Sequence, residues 1–217
     1  MTTRTSRFVL PALLLLPLIA AYGGWASISV QDLPDYIVAG QPVTLTYTVR
    51  QHGHSRLNGL NGRLEARSGR LEASTAATGA GEGRYTATLT VPSAGDWTIT
   101  IYSGFGNSRV TLLPLRAVAP GAPAPRALAE AERGRQLFVA KGCLTCHVHS
   151  DVDGSGTVAV GPDLTGRRIP AEYLAKFLAN PAIAARPGAA QMPNLELKAP
   201  EIAALSAFIN AQRGAMR

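Results

Sequence analysis

Cys143-Leu144-Thr145-Cys146-His147 contains both cysteines of the chain. Two thiols three positions apart followed by an imidazole form the attachment signature of a c-type haem. Each thiol adds to one vinyl group of a single porphyrin, and the neighbouring imidazole then falls onto the iron. Other chemistries fit these residues less well. A thioredoxin-like redox pair sits between a strand and a helix of a parallel-sheet pattern, whereas a polar, glycine-rich loop follows His147. Structural zinc takes four ligands, and beyond His147 and His149 there is no second Cys or His pair downstream. A disulfide would suit an exported protein, but across so short a loop it gains little entropy.

The surroundings of the motif divide the chain of 217 residues. Residues 126–217 are rich in Ala and Leu at helix-compatible spacing, whereas residues before 117 are rich in Thr, Gly, Arg and Val. Between them runs Ala117-Val118-Ala119-Pro120-Gly121-Ala122-Pro123-Ala124-Pro125, which reads as a semi-rigid extended linker. At the start, Arg4 and Arg7 precede an uncharged stretch from Phe8 to Val30 centred on Leu13-Leu14-Leu15-Leu16. It is expected either to be a signal peptide cut at Gly24-Trp25-Ala26 or a retained apolar helix anchoring the chain, with Trp25 at the outer interface. Both fates place the rest of the chain on the periplasmic side of the cytoplasmic membrane, where haem c is attached. The expected divisions are 1–26 (signal or anchor), 27–116 (β), 117–126 (linker) and 127–217 (helical, haem-bearing).

Strict alternation over Val43 to Val49, Tyr85 to Val91 and Trp97 to Ile101 predicts antiparallel strands with Thr on the outer face. Turn residues punctuate these runs, and shorter pieces near Ile28, Leu64, Leu71 and Val110 bring the expectation to about seven strands of a small immunoglobulin-like sandwich. Ala39-Gly40-Gln41-Pro42 leading into Val43 to Val49, and Gly83-Arg84-Tyr85 through Gly95-Asp96-Trp97, resemble the YtkA-like and FixH-like periplasmic sandwich domains. His52 and His54 are the candidate metal residues of this region. A copper site ordinarily needs three or more soft or imidazole ligands, and nothing near them in sequence supplies the third.

In the last region, Glu130 to Lys141 predicts a helix ended by Gly142, Ala171 to Leu178 a second, and the stretch after Pro200 a third with Ile202, Leu205, Phe208 and Ile209 on one face. With Gly134 and Phe138 on the first helix, Phe208 on the last, the haem motif, and Gly161-Pro162-Asp163-Leu164-Thr165-Gly166, this region resembles the class I cytochromes c along its whole length. The resemblance implies an all-α domain with one haem c bound through Cys143 and Cys146. It also implies His147 as an iron ligand oriented by the Pro162 carbonyl, and Met192, beside Pro193 and before the last helix, as the opposite ligand. Met1 and Met216 lie in terminal segments, and His149, two residues from His147, does not easily reach the far haem face.

Such His147/Met192 ligation implies a one-electron outer-sphere carrier rather than an enzyme. Its expected partners are redox proteins or a membrane respiratory or photosynthetic complex, with the membrane itself engaged through the N-terminal segment. Two alternatives are a copper-handling sandwich with an appended redox domain, and a haem sensor or enzyme opened by loss of Met192. Asp151-Val152-Asp153-Gly154 lacks the remaining ligands of a calcium loop. The excess of 21 basic over 14 acidic residues is shared almost evenly by the two halves. Without a basic cluster interleaved with aromatics, nucleic-acid binding is not expected.

Overall fold

The structure is a computed structural model that describes residues 24–185 and 191–211. The expected signal or anchor falls almost wholly outside them; among the described residues no helix is long and apolar enough to cross a membrane. The end of that uncharged stretch, however, is strand, because Ser, Ile and Val alternate there and pair with a longer neighbour.

The strands are β1 (Ala26–Val30), β2 (Ile37–Val38), β3 (Pro42–Gln51), β4 (Ser55–Arg56), β5 (Arg63–Ser68), β6 (Leu71–Ala76), β7 (Thr78–Gly81), β8 (Arg84–Thr90), β9 (Gly95–Tyr102), β10 (Arg109–Thr111) and β11 (Leu115–Val118). One sheet runs β1-β3-β8-β7 with β4 on β3, and the other runs β2-β11-β9-β5-β6 with β10 on β9. Every pair is antiparallel except β2 with β11. Period-2 alternation turns Leu45, Tyr47, Val49, Tyr85 and Leu89 of one sheet towards Leu64, Trp97, Ile99 and Ile101 of the other, in one core. Tyr47 stacks on Tyr85 at 5.6 Å, and Trp97 satisfies its indole N–H on the Ser93 carbonyl at 2.9 Å.

The structure has more strands than the alternation predicts. β2 and β4 are two residues long and β7 is Thr-Gly-Ala-Gly, so none carries a readable period. β11 extends to Val118, two residues into the stretch expected as linker, because Ala117 is buried and pairs with Ile37.

Four helices follow: α1 (Glu130–Ala140), α2 (Cys143–Cys146), α3 (Ala171–Ala179) and α4 (Ala199–Ile209). Gly142, at φ 77°, ends α1 in the left-handed conformation and turns the chain directly into α2. Contact between α1 and α4 is extensive, and its tightest point is Gly134. A Cβ there would stand 1.9 Å from the Ala204 carbonyl oxygen and 2.7 Å from Phe208 Cβ. Gly134→Ala is therefore expected to force the helices apart at a cost of about 1–3 kcal/mol, read as a lower thermal midpoint. Next to this crossing Phe138 meets Phe208 at 5.4 Å.

The helical half packs through α1 against β1, at the edge of the first sheet, and β10 of the second. Alternation leaves Ser27, Ser29, Thr48 and Arg50 on the side away from the inter-sheet core, yet all four are buried. The outer, Thr-bearing face of β3 is therefore covered towards its C-terminal end. Beyond the C-terminal end of β1 lie backbone carbonyls that the helices use: Lys141 Nζ donates to Gln31 O, and the Arg133 guanidinium to Leu33 O and Pro34 O. Arg133 also pairs with Asp35 at 3.1 Å. Lys141, itself buried, pairs at 2.6 Å with Glu201, whose other oxygen accepts the Lys198 N–H at 2.9 Å and caps α4.

Candidate functional site

One turn of helix holds Cys143 and Cys146, and His147 leaves it in extended conformation, its N–H donating to Cys143 O at 2.9 Å. Both cysteines are free thiols. Burial pushes the Cys143 thiol up to about 12 and raises Cys146 as well. A nucleophilic redox pair needs a depressed thiol, so this environment does not suit thioredoxin-like chemistry.

After His147 the chain makes a surface excursion and returns alongside residues 146–150. Gly161 N donates to Cys146 O at 2.9 Å, Leu164 N to Val148 O at 2.9 Å, and Ser150 N to Thr165 Oγ1 at 3.1 Å. Asp163 tightens the returning loop by accepting from Thr165 N at 2.8 Å. The Thr165 hydroxyl, then its backbone N–H, hold the Asp163 carboxyl below the ordinary aspartate range. This stitching presents the Pro162 carbonyl to the imidazole, 2.9 Å from His147 Nδ1.

A carbonyl can only accept, so Nδ1 carries the proton and Nε2 of the neutral ring keeps its lone pair. That is the arrangement a metal-ligating histidine requires, with its second nitrogen fixed by a backbone acceptor. Gly161 makes the approach possible: a Cβ on it would lie 2.5 Å from His147 Cε1 and 2.6 Å from Nδ1. In the sequence Gly161 is only part of a loop pattern; the imidazole passing over it arises from the return of the chain alongside residues 146–150.

Met192 is partly buried against the core cluster, as are Leu144, Leu164, Ile169, Leu197 and Ile202. These apolar side chains come from the attachment turn, the loop after Pro162, the segment leading into α4 and α4 itself. Asn210, at the C-terminal end of α4, ties that helix to the loop after Pro162, donating to Ile169 O at 3.0 Å and accepting from Ile169 N at 2.8 Å. The chemistry of these residues fits a haem c: two thiols one helical turn apart, an imidazole whose Nε2 keeps its lone pair, and a partly buried thioether on the segment leading into α4.

The other candidates are accounted for by packing. His149 is buried between Phe208, at 4.3 Å, and Phe138, at 5.8 Å, and its Nδ1 accepts from Asp151 N at 3.2 Å. It belongs to the α1–α4 core. His52 and His54 occupy the turn between β3 and β4, where His52 packs edge-on against Trp25 at 5.6 Å. No group of three or more His, Cys, Asp or Glu side chains poised to hold a metal occurs among the described residues. Asp153 spends both oxygens on Ser155, at 2.9 and 3.1 Å, closing a turn.

Residues 129–209 match the family described as cytochrome C oxidase, cbb3-type, subunit III. That stretch is a class I cytochrome c-type domain, and haem c electron transfer is its general business. The match does not extend into the β half, where the resemblance to YtkA-like and FixH-like domains is not confirmed. A search of the curated proteins finds no match. Among solved structures, the chain is similar to the surface layer protein SbsC, domains 1–6, at 27% identity and a TM-score of 0.32, covering 45% of this chain and 13% of that one. It is also similar to FdeC, an Escherichia coli adhesin, at 22% identity and a TM-score of 0.35 over 43% of this chain and 30% of that one. A third is the Lin-41 filamin domain, at 14% identity and a TM-score of 0.35, covering 43% of this chain and 90% of that one.

Proposed function

We propose that the chain is a one-electron carrier: Cys143 and Cys146 would hold a haem c covalently, and His147 and Met192 would supply an imidazole and a thioether to its iron. The observation that carries this reading is the 2.9 Å contact of His147 Nδ1 with the Pro162 carbonyl, which leaves Nε2 as a directed donor. Haem c supplies a reversible ferric/ferrous couple when bound. Everything else is the work of this chain. The Pro162 carbonyl holds the imidazole in one tautomer and raises its basicity. Leu144, Leu164 and Ile169 would shield the group from water, and the Met192 thioether, as a ligand, would favour its reduced state.

A filled coordination sphere suits outer-sphere transfer and leaves no open position for a substrate, so the chain itself is read as a carrier and not an enzyme. The oxidase subunit named by the matching family supports placing it as a component or donor of a membrane respiratory complex. Export to the periplasmic side, by a cleaved signal or a retained anchor within residues 1–26, completes the proposal. The β half, read as an immunoglobulin-like sandwich, is part of the carrier's own framework, since its backbone carbonyls hold Arg133 and Lys141.

Potentiometric titration of the holoprotein tests the ligand assignment. Met192→Ala is expected to lower the reduction potential clearly, because water or a stray donor replaces a ligand that favours ferrous iron. An unchanged potential would remove Met192 from the iron.

A further inference from the structure

We propose that the β half positions the methionine loop, with Arg56 of β4 acting on Met192 through Glu196. The inference rests on Met192 as the distal ligand. Residues 191–198 contain no helix or strand that could fix them from within. Instead they are tied to the β half at three points. Pro193 comes up to the β3–β4 turn, its Cγ 4.0 Å from where a Cβ on Gly53 would stand. Arg56 Nη2 donates to Glu196 Oε1 at 2.6 Å, and Lys198 pairs with Asp32.

Glu196 has φ 57°, the left-handed region, without being glycine. Such a backbone persists where its surroundings over-determine it, and it concentrates where geometry serves function. Two bonds do so here: the Glu196 N–H donates to Asn194 Oδ1 at 2.8 Å, and the carboxylate is gripped by Arg56. Arg56 is itself anchored, by pairing of β4 with β3 and by Glu82 at 3.2 Å. Buried Arg50 stands opposite Arg56 in that pairing; burial, then the Arg56 charge, hold its guanidinium below the usual arginine range, and Glu196 is the anion that offsets them. The carboxylate four residues after Met192 therefore sits in a cationic socket belonging wholly to the β half.

Releasing Glu196 lets the loop leave its bound geometry more often, and an added ligand then competes better for the iron in proportion to that open fraction. Imidazole titration of the oxidised holoprotein reads this directly, followed by loss of the methionine-to-iron charge-transfer band. Arg56→Ala and Glu196→Gln are expected to raise the apparent imidazole affinity about two- to fivefold, the range a partly exposed ion pair supports. Arg56→Lys, which keeps the cation, should return most of the way to wild type. Arg116→Ala, which breaks the exposed Arg116–Asp96 pair elsewhere in the β half, should not move it. Wild-type imidazole affinity in both Arg56→Ala and Glu196→Gln, with the band intact, would overturn the positioning role while leaving Met192 on the iron. A wild-type protein without a Met192-dependent band would overturn both.

Discussion

A Cys143→Ser, Cys146→Ser double variant is expected to lose its haem when unfolded, whereas the wild-type chain carries haem through denaturation. Each thioether forms when a thiol S–H adds across a vinyl group, so no oxidant or reductant is consumed and a serine hydroxyl cannot substitute. The two cysteines lie one helical turn apart on α2, and His147 follows the second directly. Each single variant should retain one linkage and still carry haem through denaturation. The check is haem-dependent peroxidase staining of the denatured chain, with intact-mass measurement of the same samples. Haem that stays bound to the denatured double variant would contradict attachment through these cysteines.

The largest stability effect is expected at Glu201. Its carboxylate caps α4 through the Lys198 N–H and pairs with Lys141, a lysine whose side chain is 2% exposed. Removing one partner of a buried pair costs about 3–5 kcal/mol. The lower end applies to Glu201→Ala, because Lys141 keeps its bond to the Gln31 carbonyl, but loss of the cap adds about 1 kcal/mol. Glu201→Gln separates the two contributions: it retains an acceptor for the cap and loses the charge. Denaturant unfolding of the holoproteins should rank wild type above Glu201→Gln and Glu201→Ala lowest. An alanine variant as stable as wild type would show that Lys141 is not held by this pair. Because Lys141 also reaches β1, the same variant is expected to loosen the contact between helical and β halves.

Much of the helical half was readable in the chain. Gly142 ends α1, Pro181 follows α3 and Pro200 opens α4, all strong local punctuation. The attachment pentapeptide and the Gly161-Pro162 loop are also local, so their geometry follows from a few adjacent residues. What was hidden is long-range. Arg56 and Glu196 are 140 residues apart and look like ordinary surface charges until β4 and the methionine loop come together. Lys141 and Gln31 are 110 apart, and nothing in a strand's alternation tells that its polar face will be covered by another part of the chain. Thr48 and Arg50 share that covered face, and Gln31 lies just beyond β1 in no readable pattern. The short strands were hidden for a different reason, since two residues such as Ile37 and Val38 cannot display a period.

The central claim is a closed iron site with His147 on one side and Met192 on the other. The visible spectrum of the oxidised holoprotein tests it most directly. The account predicts a methionine-to-iron charge-transfer band at the red end in the wild-type protein, and its complete loss in Met192→Ala. A wild-type protein lacking the band, or a Met192→Ala protein retaining it, would contradict the account.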